Sequence, residues 1–285
     1  MAMNTVINTN IRALNSHRNL AMVGNRQSKA SQRLSSGKKI NSAADDAAGL
    51  AISDKMKAQI RGLDMAAKNS EDATSLIQTA EGSLTEVTNM VQRMRELTVQ
   101  AANDTNTQED RQKISAEITQ LAEEVDSIAK RTEFNSKKLT DGSQSKSGLV
   151  FQIGANKSQA LRVKIESMDM KGIGLENFKT SFASIATKGS AAKLYSSKLD
   201  ELDSALGKVA TQRANLGATQ NRLEYTVNNL NVSSENLSAA KSRIEDTDMA
   251  KEMMNLTSAN VLQQAATAML AQANQAPQSI NQLLG

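Results

Sequence analysis

Across residues 52–101, apolar or small side chains return at Met56, Ile60, Leu63, Ala67, Ser70, Thr74, Ile77, Ala80, Leu84, Val87, Val91, Met94, Thr98 and Ala101. The steps alternate four and three without a slip, which is the a/d seam of a coiled coil. Charged residues such as Lys55, Arg61, Asp64, Lys68, Glu71, Asp72 and Glu86 fall between them, on the outer face. About fifty residues at 1.5 Å each make a helix of roughly 75 Å, and a seam of that length is buried only beside another long helix. A second seam supplies it, from Leu199 through Leu202, Leu206, Val209, Arg213, Leu216, Gln220, Leu223, Val227, Leu230, Ser234, Leu237 and Lys241 to Ile244. A third, shorter one runs through Ile114, Ile118, Leu121, Val125 and Ile128. Matching seams predict a mainly α fold, a long antiparallel coiled-coil or helical-bundle rod, with the Met and Leu residues on these steps as core.

The flanks carry weaker patterns. Residues 1–36 place Val6, Ile7, Ile11, Leu14, Leu20, Val23 and Leu34 on a thin apolar face, with Gly37 as a C-cap. Ser42-Ala43-Ala44-Asp45 reads as a capping box opening the first rod, and Thr107-Gln108-Glu109-Asp110 as a second box after the turn-rich Asn103-Asp104-Thr105-Asn106. Thr132 to Gly142 reads as irregular, anchored by Phe134. Alternation in Leu149–Gly154 and Ala160–Glu166 predicts a small β-hairpin at one end of the rod. Ser167 to Lys193 reads as loop and short turns. Beyond the break at Glu245-Asp246-Thr247-Asp248, a helix of small residues is expected, and from Met253 onward it holds no Asp, Glu, Lys or Arg. Both terminal helices are too thinly apolar to offset their ordering entropy alone.

Composition narrows the function. Aromatics make up 2% of the chain, with no Trp and a single Pro, which suits long helices better than a pocketed enzyme. The absence of Cys removes disulfides, thiol catalysis and Cys-ligated zinc. No run is apolar enough for a membrane span or a signal-peptide core, so export is expected by a route that reads no cleaved N-terminal signal. The net charge of +4 is uneven: Arg12, Arg18, Arg26, Lys29, Arg33, Lys38 and Lys39 precede the first acid, Asp45. Such an arm could serve a nucleic acid or a membrane surface, or form one side of an assembly interface with the uncharged tail; it lacks the aromatics that stack on bases. No catalytic constellation emerges. His17 has no acidic partner nearby in sequence, Asp45-Asp46 suits a helix start, and no phosphate loop or His-Glu-x-x-His is present, so neither enzyme activity, cofactor nor metal is expected.

Several ordered runs resemble bacterial flagellin. They are Val6-Ile7-Asn8-Thr9-Asn10, the stretch from Leu34-Ser35-Ser36-Gly37 to Gly49-Leu50-Ala51-Ile52, Gln92-Arg93-Met94-Arg95-Glu96-Leu97, Phe151-Gln152-Ile153-Gly154-Ala155-Asn156, Ser242-Arg243-Ile244-Glu245-Asp246 and Leu270-Ala271-Gln272-Ala273-Asn274-Gln275. The resemblance implies a secreted, extracellular subunit that polymerises through its terminal helices into the flagellar filament for swimming. It implies an inner coiled coil of 1–44 with 247–285. The outer bundle would be 45–142 with 194–246, and 143–193 a hairpin and loop region without a large variable domain. The assembly positions would be Val6, Ile7, Ile11, Leu14, Leu20, Val23 and Leu34 with Met253, Leu256, Val261, Ala265, Ala268 and Leu270. Expected partners are other copies of the chain, an export chaperone and the type III export apparatus, the filament cap and hook-junction proteins. The host Toll-like receptor that senses flagellin joins them, through Arg93, Leu97 and Glu117. A hook–filament junction protein shares the terminal helices and is the nearest alternative. A coiled-coil binder of nucleic acid or membrane surface, using its basic arm, is the alternative of a different class.

Overall fold

The computed structural model describes residues 9–188 and 192–284; Val6, Ile7 and Gly189 lie outside them. The elements are α1 (Ile11–Ser36), α2 (Ala47–Ala101), α3 (Gln108–Arg131), β1 (Glu133–Phe134), β2 (Lys137–Lys138), β3 (Leu149–Gln152), β4 (Ala160–Val163), α4 (Phe178–Lys188), α5 (Ala192–Glu245) and α6 (Met249–Leu284). The chain divides into two compact units. A central unit takes Arg61–Ser234, and a terminal unit takes Met1–Ile60 with Glu235–Gly285, the division falling inside α2 and α5. The inner segments 1–44 and 247–285 both fall within the terminal unit.

In the central unit α2 and α5 run antiparallel, tied by Arg95 Nε to Asp203 Oδ1 at 2.7 Å, Arg213 to Glu81 at 3.7 Å and the Ser234 hydroxyl donating to Asp64 Oδ1 at 2.8 Å. On α2 the seam from Ile77 through Leu84, Val87 and Val91 to Ala101 is wholly buried. Its polar members cost little, because Ser70 Oγ donates to the Ala66 carbonyl at 2.8 Å and Thr98 Oγ1 to the Met94 carbonyl at 2.7 Å within the helix. On α5 the expected register holds at Leu202, Val209, Leu216 and Leu223. Its intermediate positions move by one: Ala205 and Gln212 are buried, while Leu206 and Arg213 are only half-buried. The cause is a further neighbour, since Gln212 Nε2 donates to the Lys164 carbonyl at 3.2 Å and Lys208 Nζ to the Ile173 carbonyl at 3.1 Å. A helix packed on two sides buries a stripe wider than an a/d seam.

That neighbour is the end of the second hairpin segment, where β4 stops at Val163 instead of Glu166, together with the stretch expected to be loop. Residues 167–177 are irregular as expected, yet Met168, Met170, Ile173 and Leu175 are core, as is Ile165 before them. Backbone bonds fix the stretch, Met168 N donating to the Thr140 carbonyl at 2.9 Å and Met170 N to Asp126 Oδ1 at 2.8 Å. The expectation of loop fails at α4, where Phe178 and Phe182, four apart, share a buried helical face. Their rings lie 5.7 Å apart, and Tyr195 meets Phe182 edge-on at 5.6 Å. The β3–β4 hairpin forms in antiparallel register from Leu149↔Val163 to Gln152↔Ala160. Its loop seats on α2: Asn69 Nδ2 donates to the Gln152 carbonyl at 3.2 Å, and a Cβ at Gly62 would stand 2.9 Å from that of Ala155. Residues 132–142 also contain a tight hairpin, β1–β2, whose Asn135 and Ser136 take φ of 50° and 62°.

Both ends of α3 match its sequence signals, with Thr107 and Asp110 completing the capping box. The box at Ser42 does not open α2. Asp45 instead accepts from the Asn41 and Ser42 amides in a turn, and Asp46 Oδ1 accepts from Gly49 N at 2.9 Å where α2 starts. Ile40 is buried beside this first turn, where a Cβ at Gly49 would stand 2.7 Å from its Cδ1.

Candidate assembly interface

In the terminal unit α1 and α6 form an antiparallel pair. Asn10 caps α1 by accepting from Ala13 N at 3.0 Å, and its amide donates to the Ala273 carbonyl at 2.8 Å. Midway, Gln27 Nε2 donates to Asn260 Oδ1 at 2.8 Å, and near the far end Arg33 faces Glu252 at 3.8 Å. The contact line steps by three and four through Ala13, Ser16, Leu20, Val23, Gln27, Ala30 and Leu34, each wholly or partly buried. On α6 it passes through Glu252, Leu256, Ala259, Gln263, Ala266, Leu270 and Ala273. Ala13, Ser16, Ala30, Ala259, Ala266 and Ala273 alternate along it with larger side chains such as Leu20, Leu256 and Leu270.

The junctions beside the pair are also joined. Gly37 adopts φ 70°, ψ 8° as the C-cap of α1, Thr247 N donates to its carbonyl at 3.0 Å, and Lys39 N donates to the Glu245 carbonyl at 2.7 Å. Glu245, buried, is held between the Lys38 ammonium and that of Lys241, 3.5 Å away. The hydrogen bond from Lys38 holds the Glu245 carboxyl below its ordinary value, and the same bond raises Lys38. The depressed carboxyl stabilises the fold above its unfolded value of 4.5, and that stability is lost as pH falls through the lower folded value. The raised ammonium stabilises the fold below 10.5, and its share is lost as pH rises past that. The stability gap between wild type and Glu245→Gln, followed by circular dichroism melts, should therefore be full between these limits and close on acidification; a gap that stays equal as Glu245 is protonated would contradict the pairing.

The sequence-derived assembly positions separate into two sets. Leu20, Val23, Leu34, Leu256 and Leu270 lie on the line between α1 and α6. Ile11, Leu14, Met253, Val261, Ala265 and Ala268 face away from it and are exposed. Met22, Met249, Met254, Leu262 and Met269 add to this uncovered apolar surface. The sequence reading missed the Ala, Ser and Gln members of the contact line, whose only signal was their heptad step. At the positions the resemblance assigned to a receptor, Arg93 Nε and Nη2 donate to Glu117 Oε1 at 3.1 and 2.9 Å, and Nη1 to Glu96 Oε2 at 3.3 Å, all at the surface. Leu97 does not join them as an apolar contact. It is 2% exposed, in the central core, because the buried stripe of α2 is wide enough to take it in.

The central unit thus has a full core, whereas the terminal helix pair keeps Ile11, Leu14, Val261 and several methionines exposed. Residues 7–145 match the bacterial flagellin N-terminal helical region, and 199–284 the bacterial flagellin C-terminal helical region. The chain is 51% identical to the flagellin of Bacillus subtilis (strain 168), over 98% of its own length and 99% of that protein. It is 44% identical to the flagellar filament 33 kDa core protein of Treponema phagedenis, again over 98% and 99%. The crystal structure of Bacillus cereus FlgL shares the fold, at a TM-score of 0.52 and 16% identity over 64% of this chain and 96% of that one. The chain belongs to the bacterial flagellin family. It is a structural subunit of the flagellar filament, assembling with copies of itself.

Proposed function

We propose that the uncovered faces of α1 and α6 are the surfaces through which the subunit polymerises, with Ile11, Leu14, Met253, Val261, Ala265 and Ala268 buried by neighbouring copies. One observation carries this reading: both helices of the terminal pair hold apolar side chains in water although each already has a partner. Exposed apolar surface of this extent marks an interaction site. The subunit acts without catalysis, outside the cell, after passing through the flagellar type III export apparatus, with α6 shielded beforehand by an export chaperone. In the filament it meets the cap and hook-junction proteins. The filament role is preferred to the hook-junction role because the high identity, across nearly the whole chain, is to filament proteins. Seeded elongation followed by negative-stain microscopy tests the reading. The full chain should lengthen seeds and a chain lacking 253–285 should not, whereas a basic-arm binder of DNA or lipid would keep its activity without that tail.

A second role rests on the exposed pair Arg93 and Glu117, which presents a bidentate donor and a carboxylate side by side to the host Toll-like receptor, with Leu97 supporting them from the core. As an exposed ion pair it adds little to stability, so its loss should leave the fold intact. Arg93→Ala and Glu117→Ala should each weaken receptor binding by about tenfold or more. Wild-type affinity in both would rule the contact out.

A further inference from the structure

Most of the exposed methionines lie on α1 and α6. Met94, Met168 and Met170 of the central unit are 0–3% exposed, whereas Met249, Met253, Met254 and Met269 of α6 and Met22 of α1 are 48–66% exposed. In the central unit only Met65, among the described residues, is comparably open at 55%. The chain has no Cys to intercept an oxidant first. We propose that the exposed methionines of α1 and α6 are oxidation sites of the free subunit, and that their conversion to sulfoxide blocks assembly while sparing the fold; the inference rests on the reading of the uncovered faces of these helices as the polymerisation surface.

The chemistry is closed in its atoms. A thioether sulfur lone pair attacks one peroxide oxygen, the O–O bond breaks, sulfur gains that oxygen and is oxidised by two electrons, and hydrogen peroxide is reduced to water. The product replaces a flexible apolar group by a polar, chiral one. In solvent the new oxygen is hydrated at no cost to the monomer. Buried against a neighbouring copy, it loses that water, and from Met253 onward the helix carries no charged donor to replace it. Sulfurs of the central core are out of reach of peroxide, so the fold of that unit is kept.

The test treats purified free subunit with hydrogen peroxide, maps sulfoxides by peptide mass, and measures seeded elongation. Oxidation is expected at Met22, Met249, Met253, Met254, Met269 and Met65, with Met94, Met168 and Met170 spared, and elongation should fall about tenfold or more. Met→Leu is close to volume-conserving. Measured against its own untreated rate, a variant with Met22→Leu, Met249→Leu, Met253→Leu, Met254→Leu and Met269→Leu should therefore lose no further elongation after the same treatment. Should that variant assemble poorly untreated, repair of oxidised wild type by the two methionine sulfoxide reductases decides, and restored growth supports the proposal. Wild-type elongation by the oxidised chain, equal inactivation of the Leu variant, or no recovery after complete repair would overturn it. Preformed filaments separate the two readings. If these five sulfurs oxidise there as fast as in the free subunit, the polymerisation face is wrongly assigned; if they are protected but oxidised subunits still assemble, only the oxidation proposal fails.

Discussion

Val261→Glu is expected to abolish filament growth at concentrations where wild type grows well, and to leave the free chain folded. Val261 is 61% exposed on α6, so the substitution removes no contact within the subunit. In the filament the proposed neighbour would bury the carboxylate against apolar side chains. The helix offers it no cation from Met253 onward. An unpaired carboxylate so placed costs at least about 2–3 kcal/mol even after partial hydration, roughly a 30- to 150-fold rise in critical concentration. Sedimentation of polymer from free subunit measures this. An unchanged critical concentration would remove Val261 from the interface.

Leu84→Ala should have the opposite signature, a large loss of stability in the free chain. Leu84 is 0% exposed in the middle of the α2 seam and is surrounded by core on the central unit's full width. Truncation removes its transfer free energy and leaves a cavity that long, mutually braced helices cannot close. A loss of about 2–5 kcal/mol is expected, read as a lower denaturation midpoint of the central unit. Tyr225→Ala, at a side chain 77% exposed, should shift the same midpoint by no more than about 0.5 kcal/mol. Equal effects at the two positions would mean that the seam does not carry the stability of this unit.

The two substitutions differ because the chain uses heptads in two ways, and only one is plain in the sequence. Along α2 from Ile77 to Ala101 the seam is apolar and regular, so its burial could be read from spacing alone. Between α1 and α6 the same spacing is carried by Ala13, Ser16, Gln27, Ala30, Gln263 and Ala266, whose chemistry suggests a surface. Close helix approach and the Gln27–Asn260 hydrogen bond give those positions their role, and neither is a property of one segment taken alone. The apolar residues that stood out there, such as Ile11, Leu14 and Val261, are the ones the pair leaves exposed, and the proposed assembly would bury them. Residues 164–177 were illegible for another reason. Met168, Met170, Ile173 and Leu175 follow no helical or strand period, because irregular backbone carries them into the core. Leu97, which the resemblance put at the receptor, lies in the core instead, since the buried stripe of α2 is wide enough to take it in.

Hydrogen exchange of the free subunit and of the filament, compared peptide by peptide, tests the central claim most directly. The account predicts slow exchange in both states for the buried stretch of α2 and its partner face on α5. It predicts that α1 and α6, thinly packed in the single chain, gain protection of about 100-fold or more on polymerisation. Unchanged exchange in α1 and α6, with new protection confined to the central unit, would contradict it.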